Sequence, residues 1–163
     1  MPNAANALLA GGMTFIECTF DQSGNVYENA KSILLLKKQF GEQMQVGAGT
    51  VMTVEQVNIA AESGAQYIIS PNCDIEVISQ TKKAGLVSIP GCMTPSEVAQ
   101  AHTAGADFIK LFPMTSLGPD YLKALRGPMP HIKFLAVGGI DTTNIKEYIA
   151  AGALGFGIGG NLL

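Results

Sequence analysis

The chain has 163 residues, 47% of them hydrophobic and 14% charged, with a net charge of −3. A single domain with a well-covered core follows, and disorder is excluded by so apolar a composition. The negative charge offers no field for a nucleic-acid backbone, and no run of about 18 apolar residues or signal-peptide pattern supports a membrane partner.

Arg126 is the only arginine, so any anion site must rest on lysine and backbone N–H groups. Cys18, Cys73 and Cys92 are widely spaced and odd in number, which reads as reduced thiols in a cytoplasmic protein. They lack zinc spacing, and His102 and His131 fall on a helix and in a loop. No metal or cofactor is expected.

From the N-terminus, PNAANALLAGG reads as the end of a helix, followed at once by an apolar strand over 13–20. The same unit recurs: a helical tail closes on a small residue and glycine, and a strand begins. Gly64, Gly85 and Gly105 lie 21 and 20 residues apart, and Gly152 lies 47 further on, about two units. Glycine there accepts the left-handed conformation that ends a helix. Strands are predicted over 13–20, 45–51, 66–70, 86–90, 107–112, 133–138 and 154–158. Amphipathic helices are predicted over 26–40, 53–63, 74–84, 95–104, 119–126 and 142–151. Thr53 to Gln56 and Thr94 to Glu97 have the spacing of capping boxes, and Asp74 and Asp141 are candidate caps.

Alternating strands and helices in short even units predict an α/β fold, a (β/α)8 TIM barrel formed by residues 1–163 as one domain. Seven strands are one short of the full count. The expectation is therefore a barrel truncated at both ends, lacking its first strand and last helix.

Three strands carry residues out of place in an apolar sheet. Lys110 in ADFIKLFP shares parity with Phe108 and Phe112, which predicts an interior position. Burial lowers an ammonium pKa and makes lysine a nucleophile toward ketones. A lysine reaching the barrel mouth, or a structural ion pair, is the plainer alternative. Glu17 in MTFIECTF shares parity with Phe15 and Thr19, and a carboxylate there can shuttle protons or simply answer the lysine charge. Thr50 ends the strand QVGAGT at the carboxyl end, where barrel active sites form; a lone strand-end threonine is more often just a helix-loop hydrogen bonder. Gly47 and Gly49 leave room for something to approach the backbone. The pairs Gly138-Gly139 and Gly159-Gly160 end the last two strands and offer N–H groups for a phosphate, or merely tight turns. The string GFGIGG matches G-x-G-x-x-G, but a dinucleotide fold needs it early and followed by a helix.

Together IECTF, VGAGTV, ISPN, IPGCMTPSE, IKLFP, AVGGI and IGG resemble the 2-keto-3-deoxy-6-phosphogluconate aldolase family, and within it the branch holding the phosphogalactonate aldolases. The resemblance covers nearly the whole chain. It implies a metal-free, cytoplasmic class I aldolase, typically a homotrimer, that splits a phosphorylated 2-keto-3-deoxy sugar acid into pyruvate and glyceraldehyde 3-phosphate. It further implies Lys110 as the Schiff-base residue, Glu17 as acid/base, Thr50 as a contact to the keto-acid end, and the glycine pairs as the phosphate cradle. The chain departs from the family at Asp21, where the gluconate branch has arginine, and at Asn161, where serine is common. Its rival readings are a catalytically silent barrel that binds phosphosugars or assembles with other chains, and a phosphosugar synthase or isomerase sharing only the phosphate site.

Overall fold

A computed structural model describes residues 2–160; Asn161 lies outside that range. In chain order the elements are α1 (Pro2–Ala10), β1 (Phe15–Thr19), α2 (Val26–Phe40), β2 (Gln45–Gly49), α3 (Val54–Glu62), β3 (Tyr67–Ile69), α4 (Ile75–Lys83), β4 (Val87–Ile89), β5 (Gly91–Cys92), α5 (Pro95–Thr103), β6 (Ile109–Leu111), α6 (Met114–Arg126), β7 (Phe134–Val137), α7 (Ile145–Ala151) and β8 (Gly155–Gly157). Every ladder is parallel, in two four-stranded sheets ordered β1-β2-β3-β4 and β5-β6-β7-β8. This is the α/β barrel arrangement, with all strand carboxyl ends on one side.

The glycine repeat does what its spacing predicts. Gly64, Gly85, Gly105 and Gly152 all take positive φ immediately before a strand. Each ends its helix so abruptly that the next strand starts within a few residues.

The strand predicted over 86–90 extends further and divides. Pro90 has no N–H to give a ladder, so the sheet breaks there: β4 pairs with β3 and β5 with β6. Helix α6 also begins earlier than predicted, because a first turn over 114–117 is joined across Gly118 (φ 73°, ψ 170°) to the helix that Pro119 opens. Helix α7 starts at Ile145, and its N-cap is Asn144, not Asp141. Asp141 instead accepts bonds from the Thr143 N–H and hydroxyl, closing a local turn. Asp74 caps α4 as expected, through the N–H groups of Glu76 and Val77.

One face of each sheet packs under the helices. Ile16, Cys18, Val46 and Ala48 meet Ile33, Leu36, Val57 and Ala60 in one apolar cluster. Ile109, Leu111, Phe134 and Ala136 meet Val98, Leu122, Leu125 and Tyr148 in the other. Strand alternation then sends Glu17 and Lys110 to the opposite face, toward the barrel interior. Among the described residues β1 and β8 each pair on one side only, and Phe15 at the start of β1 is 62% exposed.

Candidate active site

Lys110 lies in the middle of β6 between Ile109 and Leu111, all three buried. Its Nζ sits 4.7 Å from the centre of the Phe112 ring, two residues along the same face. Burial holds its pKa below the usual lysine value, partly offset by the negative charge of Glu17. Glu17 shows the mirror image. Surrounding protein pushes its carboxyl above the ordinary range, while Lys110 and a 3.5 Å bond from the Thr19 hydroxyl pull it back. Glu17 is exposed to solvent along β1, yet enough protein crowds its carboxylate to cost it hydration.

The two groups feel one another without touching. Among the described residues the ion pairs are Lys31–Glu28 and Lys82–Asp107, and neither Lys110 nor Glu17 belongs to one.

Two glycines of β2 set the shape beneath them. A Cβ on Gly49 would fall 1.4 Å from Glu17 Oε1, so the carboxylate lies directly across that backbone. A Cβ on Gly47 would fall 2.1 Å from the Tyr67 ring, which crosses β2 to donate a 2.8 Å hydrogen bond to the Ile16 carbonyl. The room that these glycines leave is thus taken by the protein's own side chains. Tyr67 forms the floor under Glu17; burial and the Glu17 charge raise its pKa. Sequence reasoning missed Tyr67, although its parity on β3 beside Gly47 was the available signal.

Thr50 follows β2 directly and is the only non-glycine residue with positive φ (54°) among those described. For a β-branched residue this is a strained conformation, of the kind that collects at functional sites. Its hydroxyl makes no hydrogen bond to the described protein. The register Val137↔Gly157 makes β7 and β8 neighbours, with Gly138-Gly139 directly after β7 and Gly159-Gly160 two residues past β8. The pairs differ: Gly138 and Gly139 have φ of 98° and 71°, and a Cβ on Gly139 would strike the Thr115 methyl at 2.2 Å. Gly159 and Gly160 are exposed, with open space where side chains would be.

Asp21 closes a local turn just past the carboxyl end of β1. Its carboxylate accepts from the Ser23 N–H and hydroxyl at 2.9 and 2.7 Å, which holds its pKa below the ordinary range. Arg126 packs over Gly152 and donates to the Ala151 carbonyl at 3.4 Å, at the far end of the barrel. No group of three or more His, Cys, Asp or Glu side chains suited to a metal forms among the described residues. No described helix is long and apolar enough to cross a membrane. A hollow of about 520 Å³ lies outside, between α4 and α5; it is lined by Ile75, Ala99, Gln100, Thr103 and Ala104, holds no titratable side chain, and has no part in this site.

The family model of the KDPG and KHG aldolases matches residues 1–163, the span that carries this lysine, this carboxylate and these glycine turns. The chain belongs to that family. It is 40% identical to the 2-dehydro-3-deoxy-6-phosphogalactonate aldolase of Escherichia coli K12, over 81% of this chain and 65% of the relative. It is 33% identical to the 2-dehydro-3-deoxy-phosphogluconate aldolase of Treponema pallidum, over 90% of this chain and 68% of the relative. The chain thus spans about two thirds of the length of these curated relatives. A native KDPGal structure superposes with a TM-score of 0.91 at 35% identity, covering 98% of this chain and 76% of the other. The KDPG aldolase of Legionella pneumophila, with pyruvate captured as a covalent carbinolamine, superposes at 0.82 and 33% identity, covering 94% and 74%.

Proposed function

We propose that this protein is a class I aldolase that splits a 2-keto-3-deoxy-6-phospho sugar acid into pyruvate and glyceraldehyde 3-phosphate. The observation that carries the reading is Lys110: a lysine in mid-strand, 9% exposed, with Glu17 in electrostatic reach but not in contact. Burial without a bound partner raises the fraction of free amine, which is the nucleophile.

Lys110 Nζ adds to the C2 ketone, giving a carbinolamine that loses water to form an iminium. Glu17 takes the proton of the C4 hydroxyl as the C3–C4 bond breaks. The bonding pair moves into the iminium, leaving an enamine and the aldehyde. Glu17, with its raised pKa, then returns the proton to C3. Water hydrolyses the resulting imine and frees pyruvate and Lys110. Thr50 holds the keto-acid end, and the N–H groups at Gly138-Gly139 and Gly159-Gly160 hold the phosphate. The protein works in the cytoplasm as a homotrimer, without a metal or cofactor.

The test is incubation with pyruvate and borohydride followed by peptide mass mapping, with Lys110 labelled. One observation favours a second reading, a phosphosugar-binding barrel without catalysis: Arg126, the only arginine, is tied to α7 and cannot serve the cradle. Under that reading a phosphosugar protects the chain against unfolding, but pyruvate and borohydride leave Lys110 unlabelled.

A further inference from the structure

Gln22 and Gln56 form a two-amide clamp around Thr50. Gln22 Nε2 donates to the Thr50 carbonyl at 2.7 Å and to the Phe20 carbonyl at 3.2 Å. Its Oε1 accepts from Gln56 Nε2 at 3.0 Å, and Gln56 Oε1 accepts the Met52 N–H at 2.7 Å. The carbonyl of residue 50 and the N–H of residue 52 are therefore gripped by one continuous chain of bonds. Gln56 is 6% exposed, and a buried glutamine that holds the Met52 N–H while its own Nε2 is held by Gln22 fixes the turn between them. The turn itself needs fixing, because Thr50 at φ 54° would otherwise relax to a conformation open to β-branched residues.

We infer that Gln22 and Gln56 are positioning residues that hold Thr50 left-handed, and so aim its unpartnered hydroxyl at the keto-acid end of the substrate. This rests on the aldolase reading above for its functional half, while the clamp itself can be observed without any reaction. Gln22 lies on an exposed turn, so Gln22→Met acts from the surface: it removes the amide donors to Phe20 and Thr50 and the acceptor that Gln56 Nε2 uses.

The experiment pairs Gln22→Met with Thr50→Gly and the double variant, in the full chain. Backbone carbon shifts of Thr50, read by NMR, should report a left-handed residue in the parent and move toward extended values in Gln22→Met. Pyruvate affinity, measured by borohydride trapping, should weaken about five- to tenfold, the scale of one net hydrogen bond. The KM for glyceraldehyde 3-phosphate should stay within about twofold, as expected when the far end of the site is untouched. In the Thr50→Gly background Gln22→Met should have no further effect on pyruvate, since glycine needs no clamp at positive φ. Unchanged Thr50 shifts in Gln22→Met overturn the clamp. An equal pyruvate loss in both backgrounds, or equal losses for both substrates, overturns the positioning role. If the parent forms no Lys110 adduct, the aldolase reading fails, and the Thr50 shifts still decide the clamp.

Discussion

Replacing Gly49 with alanine separates the chemistry of the site from the stability of the barrel. The new Cβ would lie 1.4 Å from Glu17 Oε1 and 2.1 Å from Cδ, where ordinary contact begins at 3.4 Å. The obstacle is the far end of a flexible side chain, so the carboxylate yields and the backbone does not. A retreat of about 2 Å exceeds the ~1 Å misplacement that can cost ~10²-fold in rate. Gly49 is in a strand without positive φ, so alanine fits its backbone and even restricts the unfolded chain. Gly49→Ala should thus lose about 10²-fold in turnover while melting within a few degrees of the parent and still trapping pyruvate on Lys110. Gly47→Ala is the contrasting case, since its Cβ meets the Tyr67 ring at 2.1 Å and that ring is anchored at Ile16. It should cost about 1–3 kcal/mol of stability, seen as a lower melting temperature. Turnover for Gly49→Ala within threefold of the parent would refute the placing of Glu17 at the reacting bond.

Pyruvate and borohydride should label Lys110 alone, with Lys133 as the control: its Nζ stands over Phe108 at the opposite end of the strands, so label there contradicts the assignment. Glu17→Gln should slow turnover by ~10²–10⁴-fold yet leave imine trapping detectable; a loss under threefold would make Glu17 structural. The same variant removes the charge that raises the Lys110 pKa, so the pH midpoint for trapping should move lower, and an upward or absent shift would separate the two groups. Folded Lys110 holds its proton less tightly than unfolded lysine, so from its lowered pKa up to 10.5 stability gains with pH from this residue. Lys110→Met should remove that gain, measured by urea melts across the range. Glu17 has the opposite sign, its raised pKa lowering stability as pH climbs from 4.5 through the folded value.

What could be read from the sequence was whatever a few neighbouring residues decide. Glycine at a helix end imposes its own conformation, so the repeat gave the helix ends and strand starts directly. Parity along IECTF and FIKLF is equally local, and it put Glu17 and Lys110 on the inner face. Pro90 and the Gly118-Pro119 pair were visible signals whose effect depended on the neighbouring strands. Gln56 shows where local reading stops. Thr53 to Gln56 has capping-box spacing, and Thr53 does accept the Gln56 N–H at 3.2 Å. The Gln56 amide, however, turns outward to Met52 and to Gln22, 34 residues away in sequence. Thr94 and Glu97, with the same spacing, complete the box because no distant partner competes for the carboxylate. The pattern was the same; the tertiary neighbours chose the outcome.

The separation of Lys110 from Glu17 bears on the proton state of both groups. A contact ion pair in this interior would favour the ammonium form and silence the amine, and it would add little stability against the cost of desolvation. Held apart, each group carries most of its burial penalty: the lysine is pushed toward the free amine and the glutamate toward the acid. That is the proton distribution that imine formation requires at its start, and in the proposed reaction Glu17 serves as base in the C–C cleavage once it has given its proton to the departing water. The gap between them is where a keto acid bound to Lys110 would lie, with Tyr67 below and the Thr50 turn at the rim. Stability is given up at two positions, on β1 and on β6, and the proposed reaction is the use to which that loss is put.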